Sequence, residues 1–492
     1  MSIPASQSPP SSATDGGRLS GNLGPVAIIF MVVAAAAPLA VVGGVLPLGA
    51  LLGNGAGMPS MFLLAGALLG FFAVGVATMS RHVPKPGAFF TYVGYGLGRP
   101  SGLAAAWLAM LTYTAMQVAV FAFLGLTLDG WVGAHVGLDL PWWFWAITMV
   151  VIVGYLGYRQ IELSSKVLGL VLLVEIGIVL LLSVVIVVQG GADGLSSESF
   201  HPSVVTSGSP SLGLMFAIAG YAGFEATAVY RDEARDPERT IPRATYGAVA
   251  VIALFYAFTS WALVQGWGRG FGETIADTTS NFIVVTADRY LGNLGAEIVN
   301  LLLITSLFAC ALSFHNVTTR YQHAMAKAGV LPPGIGKVHP RHQSPHVSSV
   351  VLTAILIGFV VLSALVRLDP YLSVYTWLGG VATVAIVVLM ALTSVAVLVF
   401  LNRKKIPAGP WQTRIAPSIG LIGLAYITFL LFQNFPMLLG DLDASGEPRV
   451  GWLSIGFYAL MAAFPLFGVA QAYWLKVKRP NDYEVVIDAI SE

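Results

Sequence analysis

The chain has 492 residues, 56% of them hydrophobic and only 10% charged, with a formal net charge of +1. A soluble domain is about 25% charged, so this composition excludes a water-facing globular fold and makes lipid the solvent for the apolar surface. The near-neutral balance offers no basic field for nucleic acid, and one cysteine, Cys310, excludes a disulfide framework within the chain.

Residues 1–20 are Ser/Pro-rich and too polar for a signal peptide, so they read as a disordered cytoplasmic tail. A membrane crossing needs about 20 mostly apolar residues. That rule places spans near 25–52, 58–80, 100–128, 141–158, 163–189, 210–231, 244–266, 294–325, 347–366, 371–401, 416–437 and 451–476. A short amphipathic piece, Phe89–Leu97, precedes the third, and residues 477–492 form a second tail. The expected fold is an all-α integral membrane protein of twelve spans, one transporter domain over residues 21–476.

Loop charge alternates along this plan. With the N-terminus inside, every Lys and Arg except Arg269, Arg289, Arg367 and Arg449 falls on the cytoplasmic side. The positive-inside rule then fixes an even number of crossings with both termini cytoplasmic. The preference for Arg over Lys suits a GC-rich bacterial genome, and the expected location is the plasma (inner) membrane.

Two spans carry helix breakers. The first reads FMVVAAAAPLAVVGGVLP, with Pro38 and the pair Gly43–Gly44; the sixth reads LMFAIAGYAGFEATAVY, with Gly220 and Gly223 around Tyr221. They open two blocks of five spans, about 25–189 and 210–401, leaving 416–476 as an appendage. Interruptions at matching places in two halves point to an inverted-repeat transporter with its substrate site near the midplane. At a break, unpaired N–H groups can hold a carboxylate and unpaired C=O groups an ammonium, which suits a zwitterionic amino acid. The small residues Ala36, Ala37, Ala219 and Gly220 would let a ligand approach the backbone. The break in the first span falls at Ala36–Leu39 or at Val42–Val45, around Gly43; Leu39 and Gly43 are candidates accordingly. Tyr113, Met116 and Gln117 in the third span, and Thr376 and Trp377 in the tenth, are further pocket candidates.

Three stretches carry a family resemblance: GYAGFEATAVYRDEARDPERTIPRA (220–244), VPKPGAFFTYVGYGLGRPSG (83–102) and SFHNVTTRYQHAMAKAGVLPPGIGKVHPRHQSP (313–345). In order and spacing the chain resembles the amino acid–polyamine–organocation permeases, with their leucine-transporter-like fold of twelve helices in a five-plus-five inverted repeat. The stretch AAAAPLAVVGG departs from the Gly-Ser-Gly-Ile pattern that many members carry at the first break. The resemblance implies that Glu225, of the Gly-Phe-Glu core, acts as a gate or proton-responsive group. It implies that Lys166 stands where sodium-coupled relatives bind a cation, facing Ser313, with His315 beside it.

Ionisable groups inside spans are functional hypotheses by default. Glu175 follows Lys166 by nine residues, on the opposite face of one helix and about 13 Å along it, so it is expected to bond another helix. The expected function is proton-driven uptake of an amino acid or related amine, with no cofactor and no sodium. The alternatives are an exchanger or polyamine permease, a transporter-like sensor, and last an intramembrane enzyme. No nucleotide-binding loop, catalytic triad or metal motif stands out. The sequence leaves the oligomeric state open.

Overall fold

The computed structural model describes residues 24–83, 89–159, 165–224, 235–342 and 344–490. Among these residues the chain is helical throughout, apart from loops and an isolated bridge between Leu442 and Pro448. Nine described helices are long and apolar enough to cross a membrane, and two shorter apolar ones, Trp142–Tyr158 and Pro210–Ala219, accompany them.

The first expected span is two helices. α1 (Pro25–Ala35) stops, Ala37 takes a left-handed conformation at φ 46°, and α2 (residues 38–54) resumes with Pro38 in its first turn. Proline disfavours the α conformation in the residue before it, and it supplies no N–H to continue the ladder. Of the two registers left open, the chain break is therefore at Ala36–Ala37; Val41–Val45 is a π-helical widening inside a continuous helix. The next helices are α3 (Met58–Ser80), α4 (Phe89–Leu97), α5 (Arg99–Val136), α6 (Trp142–Tyr158) and α7 (Ser165–Val188).

The sixth expected span also breaks. α8 (Pro210–Ala219) gives way to turns through Phe224, with Gly223 at φ 100°. Residues 225–234, the rest of that expected span, lie outside the described residues. α9 (Pro237–Trp267) starts seven residues before the expected 244, because Pro237 sits in its first turn, where proline is tolerated. α10 (Phe271–Thr278) is a short connector. α11 (Phe282–Lys327) begins well before the expected 294 and bends at Gly292, φ 73°. α12 (His346–Leu365), α13 (Pro370–Arg403), α14 (Trp411–Leu439), α15 (Trp452–Lys478) and α16 (Pro480–Ile490) complete the chain.

α5 is the central post, packed along α6, α11, α13 and α15. Its 38 residues run about 57 Å, well beyond a bilayer's hydrocarbon thickness. Close approach needs small residues where helices touch: a Cβ added at Gly468 of α15 would lie 2.6 Å from the Leu103 carbonyl of α5. α3 pairs with α9 and α14, while α2 lies against α7, α8 and α11. The outward faces of α7, α12, α14 and α15 expose Leu173, Leu181, Leu362, Ile422, Phe429 and Leu466. An apolar exterior of this kind is stable only against lipid.

Candidate functional site

The two interruptions meet. Ala36, Ala37 and Ala40 from the first, and Phe216, Ala219 and Ala222 from the second, wall one side of a cavity. Met116 and Val120 of α5, Leu307, Cys310 and Phe314 of α11, and Tyr375, Gly379 and Thr383 of α13 close it. Its empty space, open mouth included, is about 640 Å³. A larger void of about 980 Å³ between α5, α11, α12, α13 and α15, walled by Trp107, Phe359 and Phe464, touches neither break.

At the break of α1 and α2 no side chain caps the helix, so the first-turn N–H groups of α2, those of Leu39 and Ala40, have no partner within the helix. The last-turn carbonyls of α1 are in the same position. At α8 the ends are better used: Gly220, Tyr221 and Ala222 donate to the carbonyls of Ala217, Ile218 and Ala219 at 3.1, 2.9 and 3.1 Å. The partial charges at the cavity therefore come chiefly from the first interruption. Among the described residues, no Asp, Glu, Lys or Arg lines the cavity.

Two aromatic layers bracket it along α5. On the side nearer Arg99, Tyr113 lies 6.1 Å from Phe314 and 5.6 Å from Tyr321, which in turn lies 4.9 Å from Phe90 of α4. On the other side Phe123 lies 5.0 Å from both Tyr371 and Tyr375, which stack at 5.3 Å. Ten residues of α5 separate Tyr113 from Phe123, about 15 Å, with Met116 and Val120 between. The second layer is fastened to α2, where the Tyr371 hydroxyl donates to the Gly44 carbonyl at 2.8 Å. Gly44 makes the approach possible, since a Cβ there would stand 2.6 Å from the Tyr375 oxygen.

The sequence-level candidates separate into groups. Ala36, Ala37, Ala219 and Met116 border the cavity, and Tyr113 lies just below it in a smaller adjoining pocket that Tyr221 also walls. The Tyr221 hydroxyl donates to the Phe62 carbonyl of α3 at 2.6 Å, tying the second interruption to that helix. Gly220 backs onto Val41, 3.0 Å from an added Cβ. Leu39 is buried, and Gly43 faces Leu303 of α11. Gln117 donates to the Thr318 hydroxyl at 2.8 Å between α5 and α11. The Thr376 hydroxyl donates to the Tyr371 carbonyl at 2.8 Å.

Among the coupling candidates, Glu225 and the side chain of Lys166 lie outside the described residues; the Lys166 backbone is in the first turn of α7. Ser313 is on an exposed face of α11, away from the cavity. His315 is fully buried between α6, α11 and α12, with Nε2 2.8 Å from the Ser349 hydroxyl. That hydroxyl donates its proton to the Gly154 carbonyl at 3.0 Å, so Nε2 carries a hydrogen and donates to it. Sequence reasoning missed Leu307, Cys310 and Phe314, and Tyr375, Gly379 and Thr383. The signal was helical spacing, since each trio recurs at three or four residues along one face.

A multi-pass helical membrane protein whose substrate-sized cavity opens between two interrupted helices has the architecture of a permease. The chain belongs to the amino acid permease family, whose model matches residues 28–483. It is 24% identical over 403 residues to the branched-chain amino acid permease BcaP of Bacillus subtilis, covering 77% of this chain and 80% of that one. It is 22% identical to the serine/threonine exchanger SteT of the same organism, at 77% and 85% coverage. To the L-asparagine permease of Streptomyces coelicolor it is 24% identical, at 74% and 76% coverage. Transport of amino acids, not catalysis, is what this family does, and the protein is a permease rather than an enzyme.

Proposed function

We propose that the protein imports a neutral, apolar L-amino acid across the bacterial plasma membrane, by alternating access and driven by protons. The observation that carries this reading is the cavity: backbone charge from a broken helix on one wall and, among the described residues, side chains without an ionised group on the others. The carboxylate would take the N–H groups of Leu39 and Ala40, and the ammonium the last carbonyls of α1. The side chain would rest among Met116, Val120, Leu307 and Phe314. A cationic substrate or a polyamine would meet no counter-charge among the described residues there, and burial of an unpaired charge costs several kcal/mol. The name of the branched-chain permease relative agrees with this preference; that of the serine/threonine relative keeps exchange in view as a second mode.

In this reading the chain has twelve crossings, a five-plus-five inverted repeat (25–189 and 210–401) followed by 416–476, and both termini in the cytoplasm. The layer of Phe123, Tyr371 and Tyr375 is then the outer gate and that of Phe90, Tyr113 and Tyr321 the inner one. Helices α1–α3, α8 and α9 rock against a scaffold of α5, α6, α11 and α12. Lys166, Glu225, Ser313 and His315 are the sequence-level candidates for coupling and gating, and sodium takes no part.

Uptake into proteoliposomes tests it, with labelled leucine, isoleucine, valine, serine, asparagine and lysine compared with and without an inward proton gradient. Accumulation should favour leucine, isoleucine and valine, rise with the gradient and need no sodium. Preference for lysine, or strict dependence on sodium or on an internal counter-substrate, would overturn the respective part.

A further inference from the structure

One ionisable side chain buried in the helix bundle plays no part in the cavity just described. Glu175, in the middle of α7, is 3% exposed, and one carboxyl oxygen accepts from the Ser306 hydroxyl of α11 at 2.9 Å. Among the described residues no basic side chain pairs with it. The groups facing it are Ser306 and Cys310 from α11 and Tyr256 from α9, with Tyr221 behind Tyr256. The buried Tyr256 hydroxyl has no hydrogen-bond partner. α1 and α2 also pack against α7 and bring no titratable residue. On α7 itself, the Lys166 backbone lies nine residues, about 13 Å, before it.

A carboxylate held in a bilayer interior without a cation costs several kcal/mol, whereas the neutral acid is tolerated. With one hydroxyl donor and no positive charge among the described residues, this pocket suits the protonated form. It is also connected. Ser306 is one turn from Cys310, which lines the substrate cavity, and one turn the other way from Leu303, which sits 3.0 Å from the Cβ position of Gly43 in α2. The stretch 303–310 of α11 thus touches the carboxyl, the cavity and the broken helix together.

We propose that the Glu175 carboxyl is the binding site of the co-transported proton, linked to the substrate cavity and the first broken helix through residues 303–310 of α11. This deepens, and rests on, the reading of the cavity as a proton-driven amino acid site. Open to the outside, the carboxylate takes one proton and becomes the neutral acid, which lets α7, α11 and α2 close dry around it. Open to the inside, water reaches the pocket, the proton leaves to the cytoplasm and the carboxylate is restored. With a zwitterionic substrate each cycle carries one positive charge inward, and no other reactant is needed.

The test compares gradient-driven accumulation of labelled leucine with counterflow at symmetrical pH, in wild type, Glu175→Gln, Glu175→Asp, Ser306→Ala and Lys166→Ala. Glu175→Gln mimics the neutral acid. It should keep counterflow within about threefold of wild type, while its accumulation ratio under the proton gradient falls to about one and its pH profile flattens. Glu175→Asp should recover gradient-driven accumulation, and Ser306→Ala should move the pH midpoint of uptake by about half a unit or more, the size expected for one lost hydrogen bond. Normal proton-driven accumulation in Glu175→Gln overturns the proposal, and so does loss confined to Lys166→Ala, which would place coupling at the start of α7. If Glu175→Gln loses counterflow along with accumulation and Glu175→Asp restores neither, the carboxyl holds the fold together and the proposal fails. Absence of leucine transport in wild type would instead strike the substrate reading itself.

Discussion

At Ala37 the backbone takes a left-handed conformation that costs a non-glycine residue about 1–2 kcal/mol, and that strain persists where the chain borders the cavity. The side chains opposite are small for the same reason: ligand and backbone must meet. Ala219→Leu or Ala222→Leu would fill the space beside Phe216 and Phe314. Leucine uptake should then drop more than tenfold while alanine uptake survives, a size filter read directly in competition assays; equal loss of both would mean a damaged fold rather than a filled pocket. His315 makes the opposite case. Its Nε2 is hydrogen-bonded to Ser349, so His315→Leu should cost about 1–2 kcal/mol of stability, seen as a lower melting temperature in detergent. The pH profile of uptake should keep its shape, and a flattened profile would return this histidine to the coupling machinery. That Ala36, Ala37 and Ala219 border the cavity could be expected from small residues beside helix breakers. Gln117 shows the limit, because a polar residue in a span satisfies itself on the nearest helix and sequence does not say which that is.

In the proposed cycle the element that controls access is α2 with the aromatics packed on it. Tyr371 and Tyr375 are four residues apart on α13, on one face, and both reach Gly44, one by a hydrogen bond and one by contact. Removing the hydrogen bond in Tyr371→Phe should shift the closed-to-open balance of this layer by about 1 kcal/mol, roughly fivefold. Gly44→Ala should act more strongly, since its methyl would collide with the Tyr375 oxygen. A single cysteine at Val45, on a Cys310→Ser background, reports the change through its labelling by an impermeant maleimide from outside. Labelling no faster in Gly44→Ala than in the parent would remove this layer from gating. The long apolar helices among the described residues were legible, because runs of about 20 apolar residues have few other fates, whereas the short helices α10 and α16 were not. Helix ends were less so: the starts of α9 and α11 lie in charged or amphipathic sequence that hydropathy cannot score, and the bend at Gly292 needed the fold.

Across the whole molecule the apolar exterior and the alternating loop charge make one statement about the membrane, and the orientation can be tested independently of transport. Arg235 is exposed just before α9. On the Cys310→Ser background, Arg235→Cys should resist an impermeant thiol reagent in intact cells and react once the membrane is opened. Labelling from outside would invert the topology and exchange the two gates.

Composition, hydropathy and the two sets of helix breakers were enough to determine a helical membrane permease with two interrupted helices, because both burial in lipid and loss of backbone pairing are local properties of the chain. Which walls face the ligand was not local. Leu307, Cys310 and Phe314 are no more polar or unusual than their neighbours on α11, and only the packing of α11 against α2 and α5 gives that face to the cavity. Glu175 divides the same way. Its presence in a span is written in the sequence; that it takes a hydrogen bond from Ser306 and meets no cation among the described residues was decided by how α7, α9 and α11 come together, since the cost of a buried charge depends on the partner that the fold brings.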